Sequence, residues 1–140
     1  MRVEWLMVAD SAQVISNKLY TLGGGWESIM VGGAFPVRHK FSVALAILVE
    51  WIEANQDWDG QVELAYDDPR QILVTMNGQL RIGRPANLPE GHSQRIQYGM
   101  DVDVELAVPG QYLVRARAGE SAWCQVGFRV DQGQLQTTVR

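Results

Sequence analysis

The residues best suited by type to hold a cation lie in Asn55-Gln56-Asp57-Trp58-Asp59-Gly60. Side-chain oxygens fall at positions one, three and five of an EF-hand-like loop, with glycine at six and Val62 at eight. Such a loop closes with a bidentate glutamate at position twelve, and here that position is Tyr66. The stretch Glu50 to Asp68 nevertheless holds seven acids and no basic residue. Asn55, Asp57, Asp59 and Asp67 are therefore weak candidates for a divalent-cation site. The plainer reading of the same residues is the solvated acidic rim of a hairpin.

Other chemistry is less well supported. Gly23-Gly24-Gly25 could cradle a phosphate with backbone N–H groups. A phosphate loop, however, continues Gly-Lys-Ser/Thr into a helix, and Trp26-Glu27-Ser28 follows here. The triplet reads instead as a turn or bulge that needs positive φ, with Trp26 folded back on the core. His39 and His92 are the only histidines, and neither has a ligand or a paired carboxylate at useful spacing. No nucleophile elbow marks a serine. Cys124 alternates with Val126 and Phe128 and reads as an inert inward thiol. With no acid/base pair marked by spacing, the chain reads as a non-enzyme without a cofactor.

Five tryptophans are many for 140 residues. Trp5 and Trp51 lie in phase with bulky apolar neighbours and read as core. Trp58 sits in the acidic loop, and Trp123 is out of phase with the inward residues of its strand. These two are the candidates for contact with a partner or a sugar.

The elements that would position these groups are strands. Apolar residues recur at period two almost throughout. Phe41, Val43, Leu45, Ile47, Val49 and Trp51 share one face, while Ser42, Ala44, Ala46 and Leu48 line the other. That second, small-residue strip suits packing against another surface, including a second copy of the chain. Ile96 to Val108 alternates with an acidic outer stripe. Tyr112–Ala118 and Cys124–Val130 alternate likewise. Shorter strands are predicted at Val3–Val8, Gln13–Tyr20, Val62–Tyr66, Ile72–Met76 and Gln79–Ile82. Asn77-Gly78 reads as a two-residue hairpin turn between the last two. Asp67-Asp68-Pro69 is a further turn, and Pro85 to Ser93 a link crossing between sheets.

The segment Leu106-Ala107-Val108-Pro109-Gly110-Gln111-Tyr112 admits two conformations. A tight hairpin would set Asp103 across from Arg115 and Asp101 across from Arg117. A tyrosine corner would carry the chain from one sheet to the other, with the Tyr112 hydroxyl bonded to backbone a few residues upstream. The strand order favours the corner. The fold predicted is all-β, a single immunoglobulin-like β-sandwich of eight or nine strands spanning residues 1–140.

Composition narrows the function classes. Twelve Lys and Arg against sixteen Asp and Glu give a net charge of −4, and only two of the basic residues are lysines. Nucleic-acid binders carry clustered positive charge, so none is expected as a partner. The N-terminal Met1 to Ala9 is too short, and too close to Glu4 and Asp10, for a signal peptide. The longest apolar run, Val43–Val49, falls far short of a membrane span. A cytoplasmic location follows.

Several segments, taken in order, resemble a known family. They are Ala9-Asp10-Ser11-Ala12-Gln13, Lys18-Leu19-Tyr20-Thr21-Leu22-Gly23-Gly24-Gly25-Trp26, Glu53-Ala54-Asn55, Gly83-Arg84-Pro85, Leu88-Pro89-Glu90-Gly91 and Pro109-Gly110-Gln111-Tyr112. The chain resembles an uncharacterised family of small bacterial proteins along nearly its whole length. That resemblance implies a bacterial cytoplasmic β-sandwich and transfers no catalytic residue. Two functions compete on this reading. One is a non-enzymatic interaction or structural module whose partner is another protein or itself. The other is a ligand-binding sandwich, for carbohydrate or a divalent cation, built on the Trp58 loop.

Overall fold

The computed structural model describes residues 1–67 and 71–133. Over these residues the alternating pattern builds nine strands: β1 (Arg2–Ile15), β2 (Lys18–Gly24), β3 (Ser28–Val31), β4 (Val37–Val49), β5 (Asp57–Tyr66), β6 (Ile72–Arg81), β7 (Gln94–Leu106), β8 (Gly110–Ala118) and β9 (Cys124–Gln132). They form two sheets, ordered β2-β1-β4-β7 and β3-β9-β8-β5-β6. All pairs are antiparallel except β3 with β9. The architecture is the expected immunoglobulin-like sandwich. Strands β1-β4-β7 take the A-B-E places and β9-β8-β5-β6 the G-F-C-C′ places. The bulky face of β4 and the inward residues of β7, β8 and β9 share one apolar core.

The tyrosine corner is present. β7 pairs with β4 along its whole length, whereas β8 pairs with β5 and β9. Between them the Tyr112 hydroxyl donates to the Val108 carbonyl at 2.5 Å. Asp103 accordingly pairs with Arg38 at 2.9 Å, and Arg115 with Glu63 at 2.6 Å, each within its own sheet. The link after β6 crosses between the sheets as the sequence implied.

The small-residue face of β4 is also buried, and the chain itself covers it. Ser42, Ala44 and Ala46 are all closed to solvent. β1 pairs with β4 up to Ala9 and then bends over the sheet's outer side together with β2. A Cβ at Gly99, on β7, would meet the Ala12 carbonyl oxygen at 3.3 Å, a tight contact that the crossing avoids with glycine. Ala9, Ala12 and Ala44 form a second small cluster beneath Trp5, Met7 and Leu19. At the hairpin tip, Asn17 clasps the outer edge of β7. Its side-chain amide donates to the Arg95 carbonyl at 2.9 Å and accepts from the Gln97 N–H at 3.0 Å. The strip expected to pack against a second copy is therefore occupied from within.

Other local expectations change with tertiary context. Gln13–Tyr20 is not one strand, because Ser16 and Asn17 take φ of 51° and 55° and turn the β1–β2 hairpin. Asn77-Gly78 does not turn: β6 runs straight through, with Asn77 opposite Gln61 and Gly78 opposite Gly60. Pairing with β5 on both sides of the dipeptide overrides its local preference. The turn near Asp67 falls partly on residues 68–70, outside the described residues. Trp51 leaves the strand and opens a 3₁₀ turn, Trp51–Glu53, with the Arg84 guanidinium 4.1 Å from its ring centroid. Trp5 packs on the outer side of its sheet, not in the main core. Val108 lies beyond β7 and is exposed.

The glycine triplet serves this geometry. Gly23 has φ of +58°, and a Cβ there would strike the Asp10 carboxylate at 2.3 Å. The chain then turns Trp26 inward, edge-on to Phe41 of β4 (5.9 Å between centroids) and to Phe128 of β9 (5.2 Å). Trp26 thus bridges the two sheets, partly buried, and its indole N–H is buried without an acceptor. Trp26→Ala is expected to cost about 3 kcal/mol, the low end for a core aromatic because the ring keeps some exposure. Trp26→Phe keeps the edge contacts, sheds the unmet donor, and is expected to cost about 1 kcal/mol or less. Urea midpoints of the two variants check both values.

Candidate interaction surface

The cation candidates do not converge. Asn55 sits in a left-handed conformation with φ of 59° after the 3₁₀ turn, its N–H bonded to the Ile82 carbonyl at 2.7 Å. Asp57 opens β5 and pairs with Arg81 at 3.1 Å. Asp59 is exposed one pleat further on, and its carbonyl accepts from the Gly119 N–H at 2.8 Å. Asp67 lies past the far end of β5, roughly 33 Å away along an extended strand. The stretch is a strand and not a loop, so Asp57 and Asp59 share its outer face but stand roughly 6.6 Å apart along it, while Asn55 and Asp67 lie beyond its two ends. Among the described residues no group of three His, Cys, Asp or Glu side chains could hold a metal ion. Nor is the acidic stretch all solvated rim, since Glu63 is buried beside Arg115.

The two tryptophans offered as contact residues are engaged internally. The Trp58 indole N–H donates to the Glu53 carbonyl at 2.9 Å, and its ring lies against Gly119, where a Cβ would approach within 3.1 Å. Trp123 is covered by two guanidinium groups, with Arg115 at 4.1 Å and Arg117 at 4.5 Å from its centroid. Both are only partly exposed. Cys124 keeps its inward phase and packs partly buried against the core. His39 stacks on Phe41, and His92 is exposed in the inter-sheet link.

The exposed apolar surface lies elsewhere, on the outward side of the β1–β2 hairpin. Its strands pair Ser11 with Leu22, Gln13 with Tyr20 and Ile15 with Lys18. Alternation then places Ile15, Tyr20 and Leu22 on one face and Ala12, Val14 and Leu19 on the other. The second set faces the sheet beneath. The first set is open to solvent, at 57, 55 and 74 % exposure. β2 is also the end strand of its sheet, and among the described residues nothing pairs with its outer edge. Reading Gln13–Tyr20 as one strand concealed this surface. The signal that would have revealed it is Ser16-Asn17, a polar dipeptide between apolar runs.

The remaining end strands differ. Asn17 caps β7, β3 is only four residues long, and past Ile72 the outward side chains of β6 are Thr75, Asn77, Gln79 and Arg81. Among the described residues β2 is the end strand that joins a free edge to two large exposed apolar side chains, Tyr20 and Leu22.

Among the described residues no helix is long and apolar enough to cross a membrane. None of the curated proteins compared matches the chain. A model of a family of unknown function, DUF6941, matches residues 4–131, from β1 to the end of the sandwich. That span includes the triple-glycine segment, the corner and every core strand, and the chain belongs to this family.

Proposed function

We propose that the chain is a non-enzymatic interaction module that associates with a second copy of itself through the β2 edge. The supporting observation is the coincidence of an open strand edge with Tyr20 and Leu22, exposed at 55 and 74 %, on that same strand. Sheets normally protect such an edge with charge, proline or a covering segment. β2 carries one charge, Lys18, at its far end. Antiparallel pairing of two copies about a two-fold axis at Thr21 sets Tyr20 of each opposite Leu22 of the other. It sets Lys18 opposite Gly24, so the like charges do not meet. Cross-strand aromatic–aliphatic pairs each add about 0.2–1 kcal/mol. The interface is small, and a weak, transient dimer is expected. In the cytoplasm, where this reading places the module, Cys124 persists as a free thiol.

Sedimentation equilibrium tests the proposal. The wild-type chain is expected to dimerise as concentration rises. Leu22→Lys is expected to be monomeric throughout, with melting unchanged within about 0.5 kcal/mol because the site is exposed. A strictly monomeric wild type at millimolar concentration overturns the proposal.

A further inference from the structure

The inner faces of β5 and β6 each carry a glycine where the neighbouring positions carry large apolar groups. Gly60 and Gly78 stand directly opposite one another. The gap at Gly60 is filled by Leu80, whose Cδ1 would lie 3.1 Å from a Cβ at that position. The gap at Gly78 is not filled: Gly78 is exposed on the end strand, and a Cβ there meets nothing within 4 Å. A cavity of about 200 Å³ results between the sheets, lined by Leu45, Ile47, Val62, Met76, Tyr98 and Met100. β6 and β7 are the end strands on that side and do not pair with each other, so the sandwich is open beside the cavity. Tyr98, Met76 and Met100 are only partly buried and stand toward that opening.

A closed core fills such a space at close to crystal density. Apolar cavities that stay dry, of about 150 Å³, take up benzene or xenon. We propose that this cavity is a binding site for a small uncharged apolar molecule, about the size of one aromatic ring or a short alkyl chain. Gln61, Asn77 and Arg117 also border the cavity, but the surface it offers is almost wholly apolar, which favours an uncharged ligand. Tyr98 brings a phenol hydroxyl to the residues that line the cavity. Burial raises its pKa, so it stays a neutral donor or acceptor at physiological pH.

Benzene titration followed by methyl NMR is the test. The Met76 and Met100 methyl resonances are expected to shift in a saturable way. The Met30 methyl, 74 % exposed and remote from the cavity, is expected to stay still. Gly78→Val puts two methyl groups into the space and is expected to weaken benzene binding at least tenfold while raising the melting temperature. Gly78→Ala, whose single methyl meets no neighbour, secures the result if the valine variant folds poorly, and is expected to weaken binding several-fold. No saturable shift in the wild type overturns the proposal. So do equal shifts in a folded Gly78→Val or Gly78→Ala variant.

Discussion

Tyr112→Ala is expected to remove about 4–5 kcal/mol, the top of the range for a core aromatic, and so much of the stability of a domain this size. Tyr112 is 1 % exposed and lies among aromatics from both neighbouring strands. Its ring centroid is 5.0 Å from Tyr66 and 5.8 Å from Phe128. Tyr112→Phe keeps that packing and deletes only the bond to the Val108 carbonyl, at an expected cost of about 1–2 kcal/mol. The two variants separate packing from the corner bond. Alkaline pH adds an independent check. Burial first, and the neighbouring Tyr66 second, push the Tyr112 phenol up to about 12. The unfolded phenol titrates near 10, so between about pH 10 and 12 the folded state binds the extra proton. Its contribution is whole below about pH 10 and is lost as pH rises through that window. Urea midpoints at about pH 9 and 11 should therefore fall more for the wild type than for Tyr112→Phe. Equal falls would show that the phenol is not held neutral by the fold.

That corner was legible because its chemistry is local. Leu106, Pro109, Gly110 and Tyr112 fall within one short segment, and the bond it makes spans four residues. The strands were legible for the same reason, since alternation along Phe41 to Val49 needs no knowledge of what lies opposite. What covers each face was not legible. Ala44 and Ala46 announced close packing but not the partner, which proved to be the hairpin around Asn17 folding back onto Gln97. Trp58 was singled out because it falls in the acidic stretch, and Trp123 because it breaks phase. One is held by a backbone carbonyl and the other by arginines of the adjacent strand, neither of which alternation encodes. Asn77-Gly78 failed in the opposite direction. A strong local turn signal lost to register with Gln61 and Gly60, and the glycine it contains opens the cavity. The exposed hairpin face stayed hidden because a missed two-residue turn joined Ile15 and Tyr20 into one strand.

Arg115→Ala should be the most damaging change on the outer face of the β5–β8 pair, at about 3–5 kcal/mol. Arg115 stands directly across from Glu63, and its Nε donates to the carboxylate at 2.6 Å. Glu63 is 6 % exposed, and the Arg115 guanidinium that pairs with it is itself stacked on the Trp123 ring. Removing the arginine leaves a carboxylate that neither water nor a second cation reaches. Arg117 is one pleat away and already donates to Gln61 at 2.5 Å. The loss of the Trp123 stack adds roughly 0.5–1 kcal/mol. The penalty belongs to the stranded charge and not to the worth of the pair. Glu63→Leu combined with Arg115→Met should therefore recover most of it, because two apolar side chains of similar volume need no desolvated partner. Arg115→Met strands the same carboxylate, and denaturant midpoints for Arg115→Met, Glu63→Leu and the double variant close the cycle. A loss below about 1 kcal/mol for Arg115→Ala would mean that water enters beneath Trp123 and that the ion pair behaves as a surface one.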